Sequence, residues 1–210
     1  MTNAQIQQLI QAVEQADSAA SLVASVRALA ATQSEAVIPS LIAVFGYNNP
    51  GAALAAVDGL VQLGKPAVPP LLSQLDGYNY GARAYSIRAL AEIADPRALE
   101  VLVAAATTDF APSVRRAAAK GLGKLDWHQP PEQSAAAQTQ AFKTLEQISK
   151  DSDWAIRYSA VVGLQSLANN ATDWRSPTQS LLEQLLPEES DRAVKARIKF
   201  ALSSLTSTSN

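Results

Sequence analysis

The chain has 210 residues, 48% of them hydrophobic, and its 17 basic and 19 acidic side chains give a formal net charge of −2. That balance gives no overall pull toward nucleic acid or an anionic membrane. With no cysteine and a single histidine, disulfides, thiolate metal sites and a cysteine nucleophile are excluded, and a zinc site would need carboxylate ligands.

The first segment, MTNAQIQQLIQAVEQAD, puts Ile6, Leu9, Ile10 and Val13 on one face of an amphipathic helix. It lacks the basic start and apolar core of a signal peptide. Next comes Leu29, preceded by Ala28, Ser25 and Ser21. The longest uncharged run, Ala36 to Val57, contains Pro39 and the polar turn Gly46–Gly51, so it cannot cross a bilayer as one helix. A cytoplasmic protein without a membrane span is expected.

From Leu60 onward one pattern recurs. A leucine is followed three residues later by an apolar residue: Leu60/Leu63, Leu90/Ile93, Leu122/Leu125, Leu164/Leu167 and Leu202/Leu205. A small residue precedes each anchor: Gly59, Ala89, Gly121, Gly163 and Ala201. Four before it stand Ala56, Ser86, Ala118, Ala160 and Ile198, and eight before it Ala52, Ala82, Val114, Ile156 and Val194. These offsets share one face of an α-helix. Successive anchors from Leu29 are 31, 30, 32, 42 and 38 residues apart, and such a period holds two helices and two turns. The partner helices fall at Ala36–Phe45, Pro66–Leu75, Pro96–Thr107, Ser134–Ser149 and Pro177–Leu186, with prolines near three starts.

No helix pair of this kind buries its apolar stripe alone; stacking does. The fold expected is therefore all-α, a HEAT-like or armadillo-type α-α superhelix of about six helical pairs forming a single solenoid over 1–206. The long fourth interval predicts an inserted loop at about 126–137, with Trp127, His128, Pro130 and Pro131. Residues 207–210 are expected as a disordered tail.

Packing leaves some positions unexplained. Seven before the anchors stand Arg83, Arg115, Arg157 and Lys195, with Arg88 and Arg116 nearby. Two readings are open. Either each closes an ion pair with an aspartate of the preceding turn (Asp76, Asp109, Asp153 or Asp191), or the row forms a ladder on one edge of the concave face. Helix N-termini add partial positive charge there, and a ladder suits a ligand with separated carboxylates. The turns before these helices are aromatic as well as polar, with Tyr47, Tyr78, Tyr80, Phe110 and Trp154. Turn chemistry needs Gly, Asn and Pro, not aromatics. A planar, partly apolar ligand or an aromatic-rich protein interface would suit them, and so would capping of the adjacent helices. Tyr78, Tyr80, Tyr85, Arg83 and Arg88 form the densest cluster. No catalytic triad, Walker or GxGxxG arrangement exists, and Gly121-Leu122-Gly123-Lys124 is a helix end, not a phosphate loop.

Three stretches, GYNNPGAALAAVDGL (46–60), QLDGYNYGARAYSIRALAEIADPRALEVL (74–102) and DFAPSVRRAAAKGLGKL (109–125), resemble the F-type subunit of the E/F phycobilin lyases of cyanobacteria, in the branch acting on the phycocyanin α subunit. The resemblance implies a heterodimer with an E-type lyase subunit, no resident cofactor, and phycocyanobilin as substrate. That open-chain tetrapyrrole, with two propionates, would be joined through a thioether at the ethylidene carbon of ring A to one cysteine of phycocyanin α. On this reading Arg83, Arg88, Arg115 and Arg116 pair with propionates. Tyr78, Tyr80 and Tyr85 flank the tetrapyrrole plane, and Trp154 and Arg157 complete the ligand-binding set. Asp76 or Asp109 would bond pyrrole N–H groups and help protonate the bilin. The acceptor supplies the thiol, in keeping with a chain that has none. Relatives that also isomerise the bilin use a Cys-containing motif that is missing here, so no isomerase activity is expected. The apolar, charge-poor segment through Leu75 is the expected partner surface. Two other readings remain: a non-catalytic HEAT-repeat adaptor, and a bilin chaperone or chromophore-removing protein, acting in phycobilisome assembly or turnover.

Overall fold

The computed structural model describes residues 1–76, 80–127 and 131–207, apart from the side chains of Asp76, Ser207 and residues 131–133. Among them are twelve α-helices and no strand. In chain order they are α1 (Asn3–Glu14), α2 (Ala19–Ala30), α3 (Ile38–Ala43), α4 (Pro50–Leu63), α5 (Val68–Ser73) and α6 (Tyr80–Ile93). There follow α7 (Leu99–Thr108), α8 (Pro112–Lys124), α9 (Pro131–Ile148), α10 (Trp154–Asn170), α11 (Arg175–Glu188) and α12 (Arg192–Ser207). Consecutive helices pair, giving the six pairs of a HEAT-like solenoid. The chain packs as two compact units, Met1–Ile93 and Ala94–Asn210, each holding three pairs.

The recurring leucine is the keystone of each pair. Leu29, Leu60, Leu90, Leu122 and Leu164 are fully buried, as are Ala56, Ser86, Ala118 and Ala160 four residues earlier. In the first unit α2 packs on α4 and α4 on α6; in the second, α8 packs on α10 and α10 on α12. Leu202 of α12 departs from the pattern and is only half-buried.

α8 and α10 approach closely where two glycines meet backbone. An added Cβ on Gly123 would stand 1.9 Å from the Gly163 carbonyl oxygen, and one on Gly163 would stand 2.4 Å from the Ala119 carbonyl oxygen. Only hydrogen side chains permit that backbone contact.

The first helices of the middle pairs are short. α3 and α5 have six residues each and are flanked by 3-10 turns. Pro39, Pro69 and Pro70 stand in their first turns, where a missing N–H costs nothing, but they leave few donors to extend the helix. Pro66 and Pro96 lie in 3-10 turns that precede α5 and α7. The insert expected as a loop over about 126–137 is helical from Pro131, so the extra length goes largely into the 18-residue α9. Trp127 is buried, whereas His128 lies outside the described residues. α12 continues to Ser207, and 208–210 lie outside the described residues.

N-caps fix several entries. Thr2 and Gln5, and Ser18 and Ser21, form capping boxes. The Asn49 side-chain Oδ1 accepts from the Ala52 N–H, while its Nδ2 donates to the Ala19 carbonyl and so ties α4 to the start of α2. Asp153 caps α10 by accepting from the Ala155 N–H at 2.7 Å.

Candidate functional site

In the first unit, α6 carries four of the expected site residues. Tyr80 opens the helix and is exposed; one turn on, the Arg83 guanidinium carbon lies 5.9 Å from the Tyr80 ring centroid, within cation–π range. Tyr85 stands two residues beyond Arg83, on the opposite side of the helix. Its ring packs 5.5 Å from that of Phe45. Arg88 is exposed and meets Glu92 at 3.2 Å, an i,i+4 pair. The dense cluster of the sequence thus divides: Tyr80 and Arg83 share one face, Tyr85 and Arg88 another. Tyr78 and the Asp76 side chain lie outside the described residues. In the segment through Leu75 the most exposed large apolar side chains are Met1, Tyr47 and Leu54.

In the second unit the arginine row has a specific architecture. Arg115 on α8 donates from Nε to the Ala106 carbonyl at the end of α7, and its Nη2 stands 2.5 Å from Asp151. Arg157 on α10 forks onto both Glu189 oxygens, from Nε at 2.8 Å and Nη2 at 2.7 Å. Its Nη1 donates to the Asp151 and Ser152 carbonyls. Each arginine therefore clamps its own turn and takes its carboxylate from the turn of the following pair. The preceding-turn aspartates do other work. Asp109 is buried, and its Oδ1 accepts from the Ala111 N–H at 2.9 Å; Asp153 caps α10. The side chains of Arg115 and Arg157 are only 19% and 16% exposed. The hydrogen bond from Arg157, partly opposed by burial, holds the Glu189 carboxyl down at about 2. The same bond raises the Arg157 guanidinium above its ordinary value. A cavity of about 280 Å³ beside this pair is lined by Asp151, Arg157 and Glu189 among others.

The outward groups of this unit are different ones. Phe110 is 75% exposed and Trp154, the first residue of α10, 50%. Arg116 lies half-buried on α8.

The sequence reading missed a further group. Tyr158, Ala193, Ala196, Arg197 and Phe200 line an open cavity of about 510 Å³ between α10 and α12. Phe200 is 62% exposed, and the Arg197 guanidinium carbon lies 5.1 Å from its ring centroid. Arg197 donates from Nη2 to the buried Gln165 amide oxygen, while its Nη1 is buried without an acceptor. A signal for it exists in the repeat. Five residues before the anchor the other helices carry Ala24, Ala55, Tyr85, Ala117 and Ser159. Arg197 is the one charge at that phase.

Comparison with known proteins places these features. A family profile described as HEAT repeats matches residues 68–138. The phycocyanobilin lyase subunit beta of Nostoc sp. strain PCC 7120 is 56% identical over 206 residues, covering 97% of this chain and 100% of that protein. The phycocyanin alpha phycocyanobilin lyase CpcF of Synechocystis sp. strain PCC 6803 is 52% identical, covering 96% of this chain and 94% of that one. Among solved structures, the complex of CpcE and CpcF of phycocyanin lyase from Nostoc sp. PCC 7120 contains a chain 58% identical to this one. It matches at a TM-score of 0.75, over 80% of this chain and 99% of that chain. At that identity and coverage, the chain belongs to the family of phycocyanobilin lyase beta subunits.

Proposed function

We propose that this chain is one subunit of a heterodimeric phycocyanobilin lyase, acting in the cytoplasm with an E-type partner on the phycocyanin α subunit. The observation that carries the reading is its match, nearly end to end, to the Synechocystis phycocyanin alpha phycocyanobilin lyase, together with the likeness to one chain of a two-subunit phycocyanin lyase complex. Among the described residues no helix is long and apolar enough to cross a membrane. Phycocyanobilin is the substrate, and the chain needs no resident cofactor for the step.

The reaction is an addition. The acceptor cysteine forms an S–C bond to the ethylidene carbon of ring A, the carbon–carbon double bond is consumed, and the thiol proton ends on the tetrapyrrole; nothing is oxidised or reduced. A chain without cysteine contributes by holding the bilin and the acceptor in reacting geometry. Tyr80 with Arg83 on α6, and Trp154 with Arg116 in the second unit, are the outward groups best suited to an aromatic, carboxylate-bearing substrate. Arg115 and Arg157 both bond the turn before α10, which presents Trp154. Asp109 orders the turn before α8, next to Phe110.

Co-expression of phycocyanin α with a phycocyanobilin source and both lyase chains is expected to give covalent, zinc-fluorescent α subunit. Omitting this chain should abolish the adduct. Adduct formed equally well without it would refute the assignment and leave an adaptor role.

A further inference from the structure

The Arg197 group is the feature of the second unit that folding leaves unexplained. Arg115 and Arg157 are completed by carboxylates. Arg197 is not: among the described residues no acidic side chain meets it. One of its guanidinium nitrogens is buried without an acceptor, and burial pulls its proton affinity below the ordinary value. A cation kept in such a place costs stability unless an anion arrives to complete it. The arginine is also held in position. The Gln165 amide, itself 8% exposed, accepts from Nη2.

The surroundings favour a flat, apolar companion to the anion. The face of α12 beside Arg197 carries only the small side chains Ala193 and Ala196, then the exposed Phe200 ring. Tyr158 closes the opposite wall from α10. One turn before Tyr158 on the same helix face stands the exposed Trp154. Arginine recognises carboxylates through its planar fork and stacks on aromatic faces. The cavity lies in the size range of small-molecule sites.

We propose that Arg197, propped by Gln165 and flanked by Tyr158 and Phe200, seats a propionate carboxylate of the bilin, with the adjoining tetrapyrrole plane against Phe200. This assignment rests on the lyase reading above and adds a substrate subsite to it.

The test uses the assembled heterodimer, titrated by absorbance with phycocyanobilin and with its dimethyl ester, which keeps the plane and removes the charge. The wild-type complex should favour the acid, and Arg197→Gln should lower the acid-to-ester affinity ratio by about tenfold, the size of one charge-assisted hydrogen bond. Affinity for the ester should be unchanged. Phe200→Ala should weaken acid and ester alike. If Arg197→Gln fails to fold by circular dichroism, Arg197→Lys, which keeps the charge and loses the fork, provides the same ratio. An unchanged ratio would overturn the proposal. So would loss of the partner chain on co-purification with bilin affinity intact, because Arg197 would then serve a carboxylate of the partner. A wild-type complex that binds neither compound and forms no adduct would instead remove the lyase reading itself.

Discussion

Charge in the second unit is arranged so that arginines staple one helix pair to the next. The Arg157–Glu189 pair is the better enclosed: the Glu189 side chain is 6% exposed and receives both the guanidinium fork and the Asp191 N–H. Its carboxyl is held at about 2 against an ordinary 4.5. A group whose folded value is depressed stabilises fully above its unfolded value and loses that contribution as pH falls through the folded one. Glu189→Gln should therefore destabilise by about 2 kcal/mol near neutrality, because it strips a charge-assisted fork from a covered arginine. Between the ordinary 4.5 and about 2 the gap to wild type should close. Urea denaturation of both proteins across that range checks it, and a gap independent of pH would show that the pair contributes nothing through ionisation. Trp154→Ala makes the opposite case. The residue is half exposed beyond its capped helix start, so stability should move by less than about 0.5 kcal/mol while chromophore attachment slows. The arginine row was legible in the sequence because phase along a helix is a sequence property. Its partners were not, because spacing does not tell which of two flanking turns bends toward the guanidinium. Arg197 escaped because one charge inside an otherwise neutral phase looks like surface until its burial is known.

At the scale of elements, the leucine anchors and their small neighbours foretold the second helix of every pair, since period 3.6 and burial coincide there, at all anchors but the half-buried Leu202. The first helices were foretold in position and missed in length. Prolines that mark a helix start also divide it into a 3-10 turn and a short α segment, and the expected insert became part of α9. The alternation of small residues found its sharpest use in α8 and α10. Gly123→Ala and Gly163→Ala each drive a methyl into backbone, 1.9 Å and 2.4 Å from a carbonyl oxygen. Each should cost about 3 kcal/mol, since helices must separate, and this outweighs the gain in helix propensity of about 1 kcal/mol. Gly64→Ala is the control. It has φ of +70° and ψ of −135°, a conformation that favours glycine, with no atom within 4 Å of an added Cβ, so backbone strain alone of about 2 kcal/mol is expected. Thermal melts of the three variants decide the matter; equal losses would mean that the helix contact is more yielding than its geometry implies.

For the whole molecule, the fold supplies positioned surfaces and few groups that change charge near neutrality. The chain holds no cysteine and only His128 among histidines. If its work is to hold the bilin and the acceptor together, the thiol of the acceptor governs how attachment depends on pH. The thiolate is the nucleophile, and an unperturbed cysteine ionises near about 8.5. Single-turnover attachment by the heterodimer should then rise about tenfold per pH unit below that value, as the thiolate fraction does. His128→Gln should give a superimposable profile. A lower break near about 6.5, the ordinary histidine value, that disappears in His128→Gln would show instead that this chain moves a proton in the reaction. A break that persists in the variant would assign that proton to the partner subunit or to the acceptor. In the first case the solenoid would be more than a scaffold for geometry, and the positioning account would fail where it is simplest to measure; in the second it would stand for this chain.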